Sequence, residues 1–123
     1  MVMLKENHLA LAGGIGPAVA AVRADPASGQ LPITVEVRTE QEAVEAAAAG
    51  VDRLLLDNMT DAELAAIADR FAAEPARPEL EASGGISPER IAALAGTGVD
   101  CVSLGSLTHS VRAIDFSFLV DGA

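Results

Sequence analysis

Residues 33–58 read ITVEVRTEQEAVEAAAAGVDRLLLDN and contain one complete strand–helix–strand unit. Short apolar runs at Ile33–Val37 and at residues 53–56 predict the two strands. Between them, Thr39 and Glu42 have the spacing of a capping box, in which a hydroxyl and a carboxylate satisfy the free amides of a helix start. Gly50 suits the end of that helix. Such a unit places two parallel strands side by side.

The same alternation extends on both sides of this unit. Apolar runs at Val2–Leu4 and at residues 79–82 and 101–104 predict three further strands. Helix starts between the runs are indicated by Gly16-Pro17, Thr60-x-x-Glu63 and Ser87-Pro88-Glu89. The runs lack clear polar–apolar alternation, which is typical of a parallel sheet covered on both faces. The pattern predicts an α/β fold with parallel strands.

The chain length limits how much of a closed barrel these units can form. An eight-unit (β/α) barrel needs about 250 residues, whereas the chain has 123. We therefore predict a partial (β/α) barrel, about half of a TIM-like barrel, formed by a single segment, residues 1–123. A half barrel would expose two strand edges and one apolar sheet face, which favours association with other chains. A dinucleotide-binding sheet is disfavoured, because Gly13-Gly14-Ile15-Gly16 lacks the required glycine spacing.

Composition excludes several classes of partner. The formal net charge is −10, from eight Lys and Arg against 18 Asp and Glu, which disfavours nucleic acid and anionic membrane surfaces. No apolar stretch approaches the roughly 18 residues of a membrane span. Cys101 is the single cysteine, so no intrachain disulfide can form, and a reducing cytoplasm is the expected compartment. Its place within a strand predicts an inert core residue.

A polar or small segment lies at the end of every predicted strand. These segments are Lys5, Glu36, Asp57, Ser83 and Gly105-Ser106. The carboxyl ends of the strands in a parallel barrel share one rim, and active sites are built there. A cation, two acids and two small hydrogen-bonding segments therefore predict a functional site. The plainer interpretation is that strand ends need polar residues to meet solvent.

Two glycine-bearing turns predict a phosphate site. Ser83-Gly84-Gly85-Ile86, followed by Ser87 at a helix start, offers backbone amides, and Gly105-Ser106 offers a second set. Glycine allows close approach of an anion to the backbone. Two such turns on neighbouring late strands are typical of the phosphate sites of (β/α) barrels. Tight turns without a ligand are the alternative.

The two acids at the strand ends predict chemistry around a charged or hydroxylated ligand. Glu36 and Asp57 follow apolar runs, where an unpaired carboxylate would be costly to bury. They could hold ribose hydroxyls, ligate Mg²⁺ through water or stabilise a developing positive charge. A structural ion pair with Lys5 is the alternative. His8 and His109 also follow strand ends, and the residues alone favour a capping role for His109 as much as a ligand role.

An ordered set of motifs resembles a known enzyme family. The motifs are Lys5-Glu6-Asn7-His8, Val35-Glu36-Val37, Leu56-Asp57-Asn58-Met59, Ser83-Gly84-Gly85-Ile86, Gly105-Ser106-Leu107-Thr108-His109-Ser110 and Ile114-Asp115-Phe116-Ser117. Together, from Val2 to about Leu119, they resemble the C-terminal half of the quinolinate phosphoribosyltransferases, or carboxylating nicotinate-nucleotide diphosphorylases.

The resemblance implies a pentosyltransferase of NAD biosynthesis. The family joins quinolinate to 5-phosphoribosyl-1-diphosphate with Mg²⁺, and releases pyrophosphate, CO₂ and nicotinate mononucleotide. By resemblance, Lys5 would contact quinolinate, while Glu36 and Asp57 would bind the ribose hydroxyls and metal-associated water and stabilise an oxocarbenium-like transition state. The 5-phosphate would be cradled by the backbone of Ser83, Gly84, Gly85, Leu104, Gly105 and Ser106.

Departures from the family pattern keep other readings open. The family usually has Asp at the position of Glu6, which is a small change. Its N-terminal lid domain and the early barrel strands with an Arg-Lys-Thr segment and a His-Arg pair have no match here. A homo-oligomer or a complementing N-terminal half is therefore expected as partner, and this chain alone is expected to be inactive. The alternatives are the molybdenum-transport-associated relative, nicotinate phosphoribosyltransferase, or a non-catalytic phosphate-binding half-barrel.

Overall fold

The computed structural model describes residues 1–107 and 114–118. The strands in these residues are Val2–Leu4 (β1), Ile33–Val37 (β2), Arg53–Asp57 (β3), Glu79–Ser83 (β4) and Cys101–Val102 (β5). The α-helices are Glu6–Ala12 (α1), Ile15–Ala24 (α2), Glu40–Ala48 (α3), Asp61–Phe71 (α4) and Ile91–Leu94 (α5), with 3₁₀ turns at Pro88–Arg90 and Gly105–Leu107. None of the helices described is long and apolar enough to cross a membrane.

The strands form one parallel sheet whose spatial order, β1-β2-β3-β4-β5, is also the chain order. Val35 pairs with Leu4 on one side and with Leu54 on the other. A doubly wound sheet reverses its strand order at a switch point, whereas a barrel adds each strand to the same side of the last one. The sequential order confirms the predicted barrel segment and excludes the dinucleotide-binding alternative.

One face of the sheet carries the hydrophobic core. Side chains alternate between the two faces of a strand, and those on this face are aliphatic and buried: Leu4, Ile33, Val35, Val37, Leu54, Leu56, Leu80 and Ala82. Helix α4 contributes Leu64, Ile67 and Phe71 to the same core. The i, i+3, i+7 spacing of these three residues gives the helix one apolar side.

The second face, called the open face below, is rich in polar side chains. It carries Met3, Thr34, Glu36, Arg53, Leu55, Asp57, Glu79, Glu81, Ser83 and Cys101. Arg53 donates to Glu79 at 2.6 and 2.9 Å and to Glu81 at 2.8 Å, and the Ser103 hydroxyl also donates to Glu81. The expectation of an exposed apolar sheet face is therefore wrong. The expected lack of alternation is found in β2 and β3, which are buried at most positions, but not in β4, where Glu79 and Glu81 alternate with buried apolar residues.

The helix starts differ in how they are capped. Thr60 accepts a hydrogen bond from the Glu63 amide at 3.3 Å, and the Glu63 carboxylate accepts one from the Thr60 amide at 2.8 Å, which confirms the predicted capping box. Thr39 likewise accepts from the Glu42 amide at 3.1 Å. The Glu42 carboxylate, however, binds the amide of Arg38 at 2.7 Å rather than that of Thr39. The cap therefore fixes the backbone where β2 ends.

Candidate functional site

The carboxyl-terminal ends of the strands form one edge of the sheet, called the rim below. Lys5 follows β1, Glu36 lies near the end of β2, Asp57 and Ser83 end β3 and β4, and Gly105 follows β5. The register places Glu36 and Asp57 on the open face of the sheet. The structure thus brings these predicted site residues to one rim.

Glu36 lies between two cations. Its side chain is only 8% exposed, with one carboxylate oxygen 3.2 Å from Lys5 Nζ and the other 3.3 Å from an Arg38 guanidinium nitrogen. A buried carboxylate is costly unless it is paired and hydrogen-bonded. The two cations therefore compensate the Glu36 carboxylate at the rim, and the ion pair considered for Lys5 is formed.

Arg38 is the rim residue that the sequence reasoning missed. Its Nε lies 3.5 Å from Asp57 Oδ2, so the guanidinium bridges the two carboxylates Glu36 and Asp57. It also lies 4.0 Å from Glu6. A signal was present in the sequence, because Arg38 stands two positions after Glu36 and such residues share a sheet face. The sequence analysis named Lys5 as the cation of the rim.

Asn58 connects the Asp57 carboxylate to the first glycine turn. Its side-chain amide donates to Asp57 Oδ2 at 2.9 Å, and its backbone amide donates to the Ser83 carbonyl at 2.9 Å. Asn58 adopts a left-handed conformation, with φ of 57°. Gly84 packs against it so closely that an added Cβ would lie 2.7 Å from the Asn58 amide nitrogen. This position therefore requires glycine for space as well as for its φ of 85°.

The two glycine turns enclose a cavity of about 470 Å³, called the glycine cavity below. Its lining residues are Ser83, Gly84, Gly85, Ile86, Ser103, Gly105 and Ser106. Among the described residues, no backbone hydrogen bond uses the amides of Gly84 or Gly85. The side chain of Leu104 packs against the core, which leaves the predicted role of its backbone amide a prediction. Ser103 was missed; its alternation with Cys101 would have placed it on the open face.

The remaining predicted polar residues have simpler environments. His8 Nδ1 accepts a hydrogen bond from the Lys5 amide at 3.0 Å, so this ring caps the start of α1. Cys101 is half-buried on the open face rather than in the core, and its thiol lies 3.6 Å from Glu79. Burial, reinforced by the charges of Glu81 and Glu79, raises the pKa of the Cys101 thiol to about 11. His109 lies outside the described residues.

The rim offers few protein ligands for a metal ion. Within residues 1–107 and 114–118, no three His, Cys, Asp or Glu side chains cluster as a metal cage would require. Glu36 and Asp57 supply two carboxylates on adjacent strands. Mg²⁺ commonly keeps several waters and binds through one or two carboxylates and substrate phosphates. The donor set therefore fits Mg²⁺ held largely by water and a phosphorylated ligand.

Comparisons with known proteins agree with this arrangement. Residues 1–119 match the family described as quinolinate phosphoribosyl transferase, C-terminal domain. The human nicotinate-nucleotide pyrophosphorylase (carboxylating) is 42% identical over 95% of the chain, and a probable enzyme of that name from Bacillus subtilis is 41% identical over 94%. The structure of the nicotinate-nucleotide pyrophosphorylase from Francisella tularensis superposes with a TM-score of 0.79, at 35% identity and over 93% of the chain.

The match covers only part of each relative. The chain spans 39% of the human and Bacillus subtilis proteins and 39% of the Francisella tularensis chain. Over the matched part, the family model, the pairwise identities and the fold all indicate the same family. The chain belongs to the quinolinate phosphoribosyltransferase family, and its residues 1–119 match the C-terminal domain of that family.

Proposed function

We propose that this chain is the phosphoribosyl-binding part of an enzyme that converts quinolinate and 5-phosphoribosyl-1-diphosphate to nicotinate mononucleotide, pyrophosphate and CO₂. In this reaction the ring nitrogen of quinolinate replaces diphosphate at C1 of the ribose. The carboxylate next to that nitrogen leaves as CO₂, and its bonding electron pair takes up a proton. The names of the matched relatives support this choice of reaction.

The observation that carries the proposal is the order of groups along the rim. The cations Lys5 and Arg38 follow β1 and β2, the carboxylates Glu36 and Asp57 lie on β2 and β3, and the glycine cavity lies beyond β4 and β5. A sugar with a phosphate at one end needs an anion site, hydroxyl acceptors and a second charged site in such a row. The rim supplies all three.

The glycine cavity would bind the 5-phosphate. The amides of Gly84 and Gly85 make no backbone hydrogen bond among the described residues, and Ser83 and Ser106 also line the cavity. Hydrogen bonds from backbone amides suit a phosphate even in a chain of net charge −10, because they supply positive potential without a cationic side chain.

Glu36 and Asp57 would act on the ribose. Their oxygens can accept hydrogen bonds from the hydroxyls and face the positive charge that develops at C1 as diphosphate leaves. Their fixed positions, between Lys5, Arg38 and Asn58, limit the reorganisation needed during the reaction. Mg²⁺, held through water by these two carboxylates and by the substrate, would supply charge for the departing diphosphate.

The chain by itself should bind ribose 5-phosphate without catalysing transfer. Quinolinate carries two carboxylates, and the cations identified at the described rim, Lys5 and Arg38, already face Glu36 and would have to serve the diphosphate as well. Each uncompensated pair of like charges at about 4 Å opposes binding by roughly 4 kcal/mol at an effective dielectric near 20, before screening by salt. Further cations are therefore required, and we propose that they come from another part of the enzyme or a partner chain.

A chimera tests the reaction. The segment of the Bacillus subtilis relative that matches this chain would be replaced by residues 1–119, and formation of nicotinate mononucleotide would be measured. We expect activity, and a loss of at least about 100-fold in kcat on Asp57→Asn or Glu36→Gln. The exposed substitution Asp69→Asn is the matched control and should have no effect. A folded chimera without activity, or one indifferent to both site variants, would contradict the proposal.

A further inference from the structure

We infer that Arg38 is a specificity-determining residue, because it binds the anionic group on C1 of the sugar phosphate. This contact would distinguish the diphosphate donor from a pentose phosphate that has no group of this kind on C1. This inference rests on the proposed function, because it uses the placement of the 5-phosphate in the glycine cavity. It adds a residue to which the sequence motifs assigned no role.

The position of Arg38 suits the far end of such a ligand. Continuing the register one residue beyond the Val37–Leu56 pair places Arg38 opposite Asp57, at the mouth of the open face. The glycine cavity lies beyond the next two strands. A ribose whose 5-phosphate occupies that cavity and whose hydroxyls face the two carboxylates directs its C1 substituent away from β4 and β5. It therefore directs that substituent toward Lys5 and Arg38.

Arg38 also has donors to spare. Within the described part of the chain, its guanidinium makes one hydrogen bond, at 3.3 Å to Glu36, and its other ion-pair distances are 3.5 and 4.0 Å. Four other arginines each make three or more hydrogen bonds to protein acceptors: Arg23, Arg53, Arg77 and Arg90. The Arg38 side chain is 57% exposed, so a ligand can reach the unused N–H groups.

The chemistry of guanidinium favours diphosphate as the group bound. Its planar fork of N–H donors matches two phosphate oxygens at once, which a lysine ammonium cannot do. Lys5 stands on the other side of Glu36 and adds a second positive charge. Glu36 lies between the two cations and forms an ion pair with each of them at the rim. A diphosphate, with its charge spread over two linked groups, can contact both cations together.

The test compares three probes on the purified chain. Isothermal titration with 5-phosphoribosyl-1-diphosphate, ribose 5-phosphate and inorganic pyrophosphate, at low ionic strength, measures the preference for a C1 diphosphate. We expect wild type to bind the diphosphate donor about tenfold more tightly than ribose 5-phosphate. In Arg38→Met this preference should fall to about twofold or less, with the affinity for ribose 5-phosphate changed by less than about threefold. Arg38→Lys should restore part of the preference.

Arg70→Met provides the matched control. Arg70 is also exposed and also makes one hydrogen bond, to Glu74 at 3.2 Å, but it lies on α4 away from the rim. Its substitution should leave both affinities unchanged, and thermal melting of all variants shows whether they fold. If Arg38→Met keeps the wild-type preference, or if wild type shows none while still binding ribose 5-phosphate, the inference is overturned and the proposed phosphate site stands.

A failure of the proposed function looks different. If wild type does not bind ribose 5-phosphate, the glycine cavity is not a phosphate site. The Nε–Hε resonance of Arg38 then decides the present inference separately, by titration with inorganic pyrophosphate. A saturable shift of that resonance supports an anion contact at Arg38. If the resonance does not shift, the inference about Arg38 is overturned.

Discussion

Asp52 and Asp100 occupy equivalent positions in the sheet, each immediately before a strand and each bonded to the strand alongside. One oxygen of Asp52 accepts the amide hydrogen bond of Ile33 at 2.8 Å, and one oxygen of Asp100 accepts that of Leu80 at 2.8 Å. Ile33 and Leu80 lie at the starts of β2 and β4. The same aspartate-to-amide hydrogen bond thus joins β2 to β3 and β4 to β5 at the amino-terminal ends of the strands, opposite the rim.

An arginine completes each of these contacts. Arg23 donates a hydrogen bond to Asp52 at 3.0 Å, and Arg77 donates one to each carboxylate oxygen of Asp100, at 2.6 and 2.7 Å. The Ile33 amide is the largest influence that lowers the pKa of Asp52. For Asp100 the pKa is lowered mainly by the Arg77 hydrogen bond. Both carboxylates therefore favour the folded state when they are ionised.

Acid should weaken the chain through these two groups. Their folded-state pKa values lie below the ordinary value of 3.8, so their contribution is complete above that pH and is lost as the pH falls through the folded values. Asp100→Ala should lower the free energy of unfolding by about 1–2 kcal/mol at pH 7, and by less at pH 3. Urea unfolding across this pH range measures both effects. The exposed Asp69→Ala is the control, and a loss for Asp100→Ala that does not change with pH would contradict the assignment.

Gly84→Ala should damage the glycine cavity far more than Gly85→Ala. Both glycines have positive φ, 85° and 58°, so both substitutions carry a backbone cost of about 1–2 kcal/mol. At Gly85 an added Cβ meets nothing within 4 Å, whereas at Gly84 it meets the backbone of Asn58. Urea unfolding and titration with ribose 5-phosphate should show the larger loss in Gly84→Ala for both properties. Equal effects of the two variants would mean that Asn58 can move away from the added Cβ at little energetic cost.

Arg53→Met should destabilise the open face, because it leaves two carboxylates on one strand without their cation. Glu81 is only 12% exposed, so its carboxylate would lack a cationic partner in a partly desolvated position. We expect a loss of about 1–3 kcal/mol in the free energy of unfolding. Adding Glu81→Gln should recover about half of that loss, since the uncompensated charge is then removed. A double-mutant cycle by urea unfolding measures this coupling, and strictly additive losses would argue against it.

Cys101 should react slowly with alkylating reagents. With its pKa raised from the ordinary value of 9.0 to about 11, its thiolate population near pH 7.5 is roughly 100-fold smaller than that of an unperturbed thiol. The rate with iodoacetamide should rise about tenfold per pH unit through the neutral range. The same chain unfolded in urea is the control and should react at the rate of a free thiol. Comparable rates in the folded and unfolded chain would contradict the proposed environment.

The sequence predicted the strands well because each is a short aliphatic run that ends in a polar residue. The predicted starts of all the strands agree with the structure, and the main difference is β5, which ends at Val102 instead of residue 104. The Ser103 amide still donates a hydrogen bond to the Ala82 carbonyl at 2.9 Å, so pairing with β4 continues one residue beyond β5. Helix α1 was missed because Lys5 precedes it in place of the usual Ser, Thr, Asp or Asn cap.

The site was predicted as a set of positions, and of its contacts only the ion pair between Lys5 and a carboxylate was considered. Motifs place Glu36, Asp57 and Gly84 in order along the chain, and parallel strands bring them to one rim. That Arg38 bridges the carboxylates depends on the register between β2 and β3. That Asn58 packs on Gly84 depends on a backbone conformation of positive φ. Neither follows from residue types alone, and the chemical roles of these residues remain predictions for the experiments above.

The sequential strand order has a consequence for how the chain acquires its structure. Among the strands that the structure describes, paired residues are about 20 to 30 positions apart, so each of these pairings closes a loop of modest length. During synthesis, each emerging strand would find the previous one already available as a template. The sheet can therefore grow in one direction, from the amino terminus onward, and a late strand can be delayed without disturbing those already paired.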